Sequence, residues 1–144
     1  IARPHIGRVL IDKGIVSDLS EAFEKYIGND CPAYVSRRTL SPKQGIDLIK
    51  SAGGVPVLAH PGLLKDKRLI NILVDSGILG LEAYHSKHTR EQSIYFEKLA
   101  KKNNLIVTGG SDCHGELVNG QPTVGNVKVE YDVVKQLKNA SDLR

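Results

Sequence analysis

The chain has 144 residues, of which 40% are hydrophobic and 25% charged, a size and balance for one soluble domain or part of one. Its formal net charge of +4 favours anionic partners without identifying one. No run approaches the roughly 20 apolar residues of a membrane span, and the start (Ile1-Ala-Arg-Pro-His5) has no signal-peptide core. The two cysteines, Cys31 and Cys113, make no disulfide framework, which argues against a stapled secreted scaffold and places the expectation in a reducing cytoplasm. No methionine occurs, position 1 included, so the chain is expected to be a piece of something longer.

Residues 1–30 read as a helical hairpin. Pro4 suits a first turn, and Ile6, Val9 and Leu10 carry helical spacing up to a stop at Gly14. Ser17 is the expected cap of the next helix, with Asp18 and Glu21 in its first turn and Leu19, Ala22, Phe23, Tyr26 and Ile27 on its apolar face. The pair superficially matches a DNA-binding helix-turn-helix, but Asp18, Glu21 and Glu24 make a poor major-groove surface. Residues 31–40 read as a linker carrying the basic pair Arg37-Arg38.

From Ser41 the chain repeats a helix–strand unit. Ser41-Pro42 caps a helix to about Ser51 with Ile46, Ile49 and Ala52 on one face, and Val55–Ala59 follows as a short buried strand that delivers His60. Pro56 belongs at the start of that strand or at a bulge. A second helix near 66–76 (Leu69, Ile70, Leu73, Val74 inward) leads to a strand over Ile78–Tyr84, which delivers His85 and His88. Thr89-Arg-Glu-Gln92 is a capping box for a third helix to about Lys102, with Phe96, Leu99 and Ala100 inward. The strand Leu105–Thr108 then delivers Asp112 and His114 through Gly109-Gly110. A loop at 115–122, a short strand over Val124–Val129 and a helix around Asp132–Lys138 complete the expectation. Such alternation predicts a parallel sheet or a (β/α) barrel, folds that bind ligands at the carboxyl ends of their strands.

Four of the five histidines (His60, His85, His88, His114) fall near the end of a predicted strand, and Asp112 joins them. Imidazole and carboxylate converging on one rim suit Zn²⁺, Mn²⁺ or Fe²⁺ rather than Ca²⁺. In extended backbone Asp112 and His114 point to one side and Cys113 to the other. The competing readings are ordinary ones: Asp112 capping a turn, His60 bonded to backbone, His85 and His88 solvated or contacting phosphate. His5, beside Arg3, is either an anion contact or a plain helix start. Neither a Walker A motif nor a Rossmann glycine pattern is present.

With those residues assembled, the chain resembles the PHP (polymerase and histidinol phosphatase) metal-dependent phosphoesterases. The resemblance lies in Arg3-Pro-His-Ile-Gly-Arg8, Val57-Leu-Ala-His-Pro-Gly62 and Thr108-Gly-Gly-Ser-Asp-Cys-His-Gly115, with Leu81-Glu-Ala-Tyr-His-Ser-Lys-His-Thr89 similar to the corresponding family loop. It is closest to the stand-alone subgroup of nucleoside 3′,5′-bisphosphate phosphatases and a 5′-to-3′ exoribonuclease. The resemblance implies an α/β fold: the C-terminal half of a distorted (β/α)₇ barrel over residues 39–144, preceded by part of a helical insertion lobe over 1–38. It implies His60, Asp112 and His114 as metal ligands, and Arg3, His5 and His88 on the substrate side. His85 is expected there as a further substrate contact, and His88 as the catalytic group that donates to phosphate or protonates the leaving group. The family's opening His-x-His strand and its further Asp, His, Glu and His ligands are not in this sequence, and Cys113 stands where an aromatic is usual.

The implied activity is hydrolysis of a phosphorylated nucleotide or short RNA by water bound to two or three divalent ions (Mn²⁺, Zn²⁺ or Fe²⁺). Two rivals stand beside it. One is a non-catalytic nucleic-acid or partner-binding module using Arg37, Arg38 and the lysines at the 98–102 helix end; the other is an amidohydrolase-like metal hydrolase. A half-barrel also predicts an exposed sheet edge, and with it pairing to a missing N-terminal half or self-association.

Overall fold

The computed structural model describes residues 2–35, 39–114, 117–118 (backbone) and 120–141. The chain divides into two compact units, Ile1–Thr39 and Leu40–Arg144.

The first unit is the helical hairpin. Helix α1 spans Arg3–Asp12, with proline in its first turn as expected. Helix α2 begins at Leu19–Ala22 and continues as a π-helical turn over Phe23–Ile27. Its cap is Asp18, not Ser17: the Asp18 carboxylate accepts the Glu21 amide at 2.9 Å, while the Ser17 amide donates to the Glu21 carboxylate at 2.7 Å. A carboxylate one residue nearer the helix takes the capping position, and the serine contributes only its backbone. Val16, Ala22 and Ile27 form this unit's buried core.

The second unit is α/β with a parallel sheet. Helix α3 (Pro42–Ser51) starts on a reciprocal capping box: Ser41 Oγ accepts the Gln44 amide at 3.2 Å, and Gln44 Oε1 accepts the Ser41 amide at 2.9 Å. Of its three predicted inward residues only Ile46 is buried, and Ile49 is 42% exposed. Strand β1 (Val57–Leu58) is shorter than the sequence run suggests, because Pro56 has no amide to give a ladder and lies just before it. The Pro56 carbonyl instead accepts the amides of Leu79 and Gly80, at 2.8 and 3.2 Å.

Helix α4 (Arg68–Asp75) returns the chain to β2 (Gly80–His85), and α5 (Arg90–Lys102) returns it to β3 (Ile106–Gly110). The sheet order is β1-β2-β3, with both pairings parallel. The Thr89–Gln92 capping box predicted for α5 is present, with bonds of 3.2 and 2.9 Å. Leu81 and Ala83 of β2 are completely buried against Ile70, Phe96 and Ala100. Filling that site with a leucine stabilises the fold by roughly 1.5–3 kcal/mol.

Beyond β3, Leu117–Val118 (β4) and Gln121–Pro122 (β5) pair antiparallel, and α6 spans Asp132–Ala140. The strand expected over Val124–Val129 does not form: the Asn126 amide closes a turn onto the Thr123 carbonyl at 3.2 Å, and Val124 is 71% exposed. Val129 packs its side chain over Gly109 of β3, but the segment makes no ladder, and propensity alone does not make a strand.

Candidate metal centre

β1, β2 and β3 are parallel, so their carboxyl ends lie on one side, and each ends at a histidine or leads to one. His60 follows β1 in a left-handed conformation (φ 33°, ψ 57°), with Pro61 fixed behind it. Such backbone costs about 1–3 kcal/mol in a residue other than glycine and persists only where its surroundings impose it. Here the constraint is Glu82 of β2, whose carboxylate accepts the His60 amide at 2.6 Å. Asp112 is likewise left-handed (φ 53°), just beyond β3. Two of the three predicted metal ligands thus sit in strained backbone at the rim.

His114 carries the most informative hydrogen bond of the group. Its Nδ1 lies 2.7 Å from the Asp112 carbonyl, which can only accept, so Nδ1 holds a proton and, in the neutral ring, the lone pair is on Nε2. A backbone carbonyl on one ring nitrogen, leaving the other available, is the usual setting of a metal-bound histidine. The His114 side chain is 74% exposed and that of Asp112 is 37% exposed.

His85 and His88, predicted on the substrate side, are placed differently. His85 is the buried polar residue of the described chain: it is 4% exposed, and its side chain is fully excluded from solvent. Its ring centroid is 5.5 Å from that of His60 and 5.2 Å from that of His88. His88 has both nitrogens engaged by backbone: Nε2 accepts the Gly62 amide at 3.0 Å, so Nδ1 donates to the Ala83 carbonyl at 2.9 Å. To donate to a substrate it must surrender one of these bonds. In this arrangement it ties the turn after β1 to β2, and only glycine fits opposite, since a Cβ at Gly62 would lie 2.5 Å from the His88 ring.

Arg3 and His5 belong to the helical unit and are bonded within it. The Arg3 guanidinium donates to the Ile27 carbonyl (3.3 Å) and the Asn29 side chain (3.1 Å) and lies over the Phe23 ring. His5 Nδ1 accepts the Ala2 amide at 2.9 Å. Of the basic groups considered for nucleic-acid binding, Arg37 and Arg38 lie outside the described residues, and Lys101 is paired with Glu97 at 2.5 Å.

Glu82 was missed by the sequence reading. Besides holding His60, its carboxylate lies over Gly110, 3.8 Å from where a Cβ would stand. The available signal was a lone acid inside the apolar strand Ile78–Tyr84, where a charge needs a partner.

A carboxylate, an imidazole with its Nε2 lone pair available and a second imidazole nearby fit a divalent ion of the Mn²⁺, Zn²⁺ or Fe²⁺ kind in donor chemistry. Among the described residues no group of three His, Cys, Asp or Glu side chains is placed to hold one ion.

No protein-family model matches the chain. It is similar to a 3′,5′-nucleoside bisphosphate phosphatase of Chromobacterium violaceum, at 33% identity over 119 residues covering 79% of this chain and 42% of that protein. It is also similar to a 5′-3′ exoribonuclease of Escherichia coli, at 29% identity over 119 residues covering 79% and 41%. Two solved structures share its fold. One, from Bifidobacterium adolescentis, is by assignment a metal-dependent phosphoesterase: TM-score 0.79 and 30% identity, covering 99% of this chain and 52% of that one. The other is a C. violaceum amidohydrolase with bound sulfate: TM-score 0.69 and 28% identity, covering 97% and 51%. The chain thus spans less than half the length of these two curated relatives, and within that span its likeness is to phosphoesterases that act on nucleotides or RNA.

Proposed function

We propose that this chain is the C-terminal part of a PHP-type metal-dependent phosphoesterase. In this reading Leu40 onward completes a distorted (β/α)₇ barrel, and the helical hairpin belongs to an insertion lobe. The substrate is a nucleotide phosphate ester, such as a nucleoside 3′,5′-bisphosphate, or a short RNA end, and the enzyme works in the cytoplasm. The observation that carries the reading is the rim itself: Asp112 and His114 with its Nε2 lone pair available, just beyond β3 of a parallel sheet whose first strand, β1, leads to a strained His60.

Asp112, His114 and His60 would hold metal here, together with ligands from outside this chain, two or three ions in all. When bound, such ions lower the pKa of a water and offset charge on the phosphate. The chain's own residues supply the positioning. Glu82 fixes His60 through its backbone amide. The Asp112 carbonyl fixes the His114 ring. The Glu82 and Asp112 carboxylates give the rim negative charge within a chain of net charge +4, a local field that draws cations to the strand ends.

The test uses protein purified with whatever its reading frame encodes upstream of Ile1. With Mn²⁺ it should release phosphate from a nucleoside 3′,5′-bisphosphate, and Asp112→Ala should reduce release to background while the protein stays folded by circular dichroism. Equal release by wild type and Asp112→Ala would sink the proposal. An amide panel is run alongside because of the amidohydrolase likeness. Turnover of amides without phosphoesters would favour that second reading.

A further inference from the structure

His85 has a buried nitrogen that the proposed chemistry does not use. The His85 side chain is wholly excluded from solvent, yet its Nε2 has no hydrogen-bond partner among the described residues. Leaving a buried polar atom unsatisfied costs about 1–3 kcal/mol, so its position needs a reason. The other nitrogen settles its protonation. Nδ1 accepts the Lys87 amide at 3.1 Å, and in a neutral imidazole an accepting Nδ1 puts the proton on Nε2. An Nε2 that carries hydrogen has no lone pair to give a metal. His85 is therefore built as a donor, the opposite tautomer to His114.

The donor faces Asp112. The nearest carboxylate oxygen, Asp112 Oδ2, lies 3.5 Å from His85 Nε2, while the other, Oδ1, is 3.9 Å from His114 Nδ1. The strands set this up. A bulge in β2 between Glu82 and Tyr84 brings His85 into register with Gly110, two residues before Asp112, and the left-handed turn at Asp112 follows. A bulge next to a site commonly serves to re-aim a side chain.

We propose that His85 is a positioning residue whose Nε2–H holds one oxygen of Asp112, leaving the other for a metal ion. The 3.5 Å separation closes to a hydrogen bond as the carboxylate turns toward the site. The inference rests on the metal-centre reading for its consequence, but not for the tautomer.

The test combines nitrogen NMR with Mn²⁺ binding, on wild type, His85→Leu, His85→Gln, Asp112→Asn and Asp112→Ala. In metal-free wild type, long-range ¹⁵N–¹H correlations should show His85 protonated at Nε2, and Asp112→Asn should shift that resonance. Calorimetry should show His85→Leu weakening Mn²⁺ binding about tenfold, the scale for loss of a group that orients a ligand. His85→Gln, whose amide NH₂ reaches the place of Nε2, should restore most of it; a merely space-filling role would instead favour leucine. Protonation at Nδ1 overturns the inference, whatever binds. So does His85→Leu binding Mn²⁺ as wild type does, provided Asp112→Ala abolishes binding. If Asp112→Ala leaves Mn²⁺ binding unchanged, the metal-centre reading fails instead, and the NMR alone decides the His85–Asp112 contact.

Discussion

Tyr84 and Glu97 show how a single contact couples the sheet to its covering helix. The Tyr84 hydroxyl donates to the Glu97 carboxylate at 2.7 Å. This bond, with partial burial adding to it, raises the Tyr84 pKa. The Glu97 pKa is lowered, chiefly by the Lys101 ammonium and secondarily by Tyr84. The two signs define two windows. Tyr84's contribution to stability is complete below the ordinary tyrosine value of about 10 and is lost as pH rises through its raised folded value. Glu97's contribution is present above the ordinary glutamate range and is lost as pH falls through its lowered value. Tyrosinate absorbance should therefore show Tyr84 ionising after the exposed tyrosines, with Glu97→Gln moving it back toward them. If that variant leaves the Tyr84 titration unmoved, the pair is not coupled. The histidines show how far residue types carry. Their clustering at strand ends was visible in the sequence, but the sequence does not say which nitrogen meets which backbone group. That detail separates His114, with an Nε2 lone pair available, from His88, which has both nitrogens engaged.

Elements were more legible than residues, and the reason is local. The α3 and α5 starts were readable because a capping box is a contiguous signal, and both boxes form. Removing either cap, by Ser41→Ala or Thr89→Ala, should cost about 1 kcal/mol in urea unfolding. A loss of less than a few tenths would mean that the first turn finds other partners. The short β1 and the missing strand at 124–129 were less legible, because strand length depends on neighbours that a local pattern does not contain. The β2 bulge was illegible for the same reason: Ala83 reads as an ordinary apolar residue, and only pairing with β3 shows that it is the extra one. Glu82 escaped notice as a site residue because its partner, the His60 amide, is 22 positions away.

At the scale of the molecule, the parallel sheet and its helices were expected, while the rest of a barrel remains part of the proposal. Among the described residues β1 and β3 each pair on one side only. Leu40, Leu48 and Ile49 are 57%, 59% and 42% exposed. Open strand edges and uncovered apolar side chains invite association. Purified as the 144-residue chain, the protein should scatter light as a dimer or larger species. A monodisperse monomer at micromolar concentration would count against an uncovered edge.

The brevity of β1 has one more consequence. Only two residue pairs join it to β2, whereas β2 and β3 share five. Amide exchange in such a chain proceeds through local openings whose cost follows the contacts they break. The opening that releases β1 carries His60 away from the rim yet leaves the β2–β3 ladder joined. On the proposed metal centre, fold and site should have separate thermal thresholds: on warming, Mn²⁺ capture should fade while far-UV circular dichroism is still native, and a bound ion, by bridging β1 to the residues after β3, would merge the two thresholds into one.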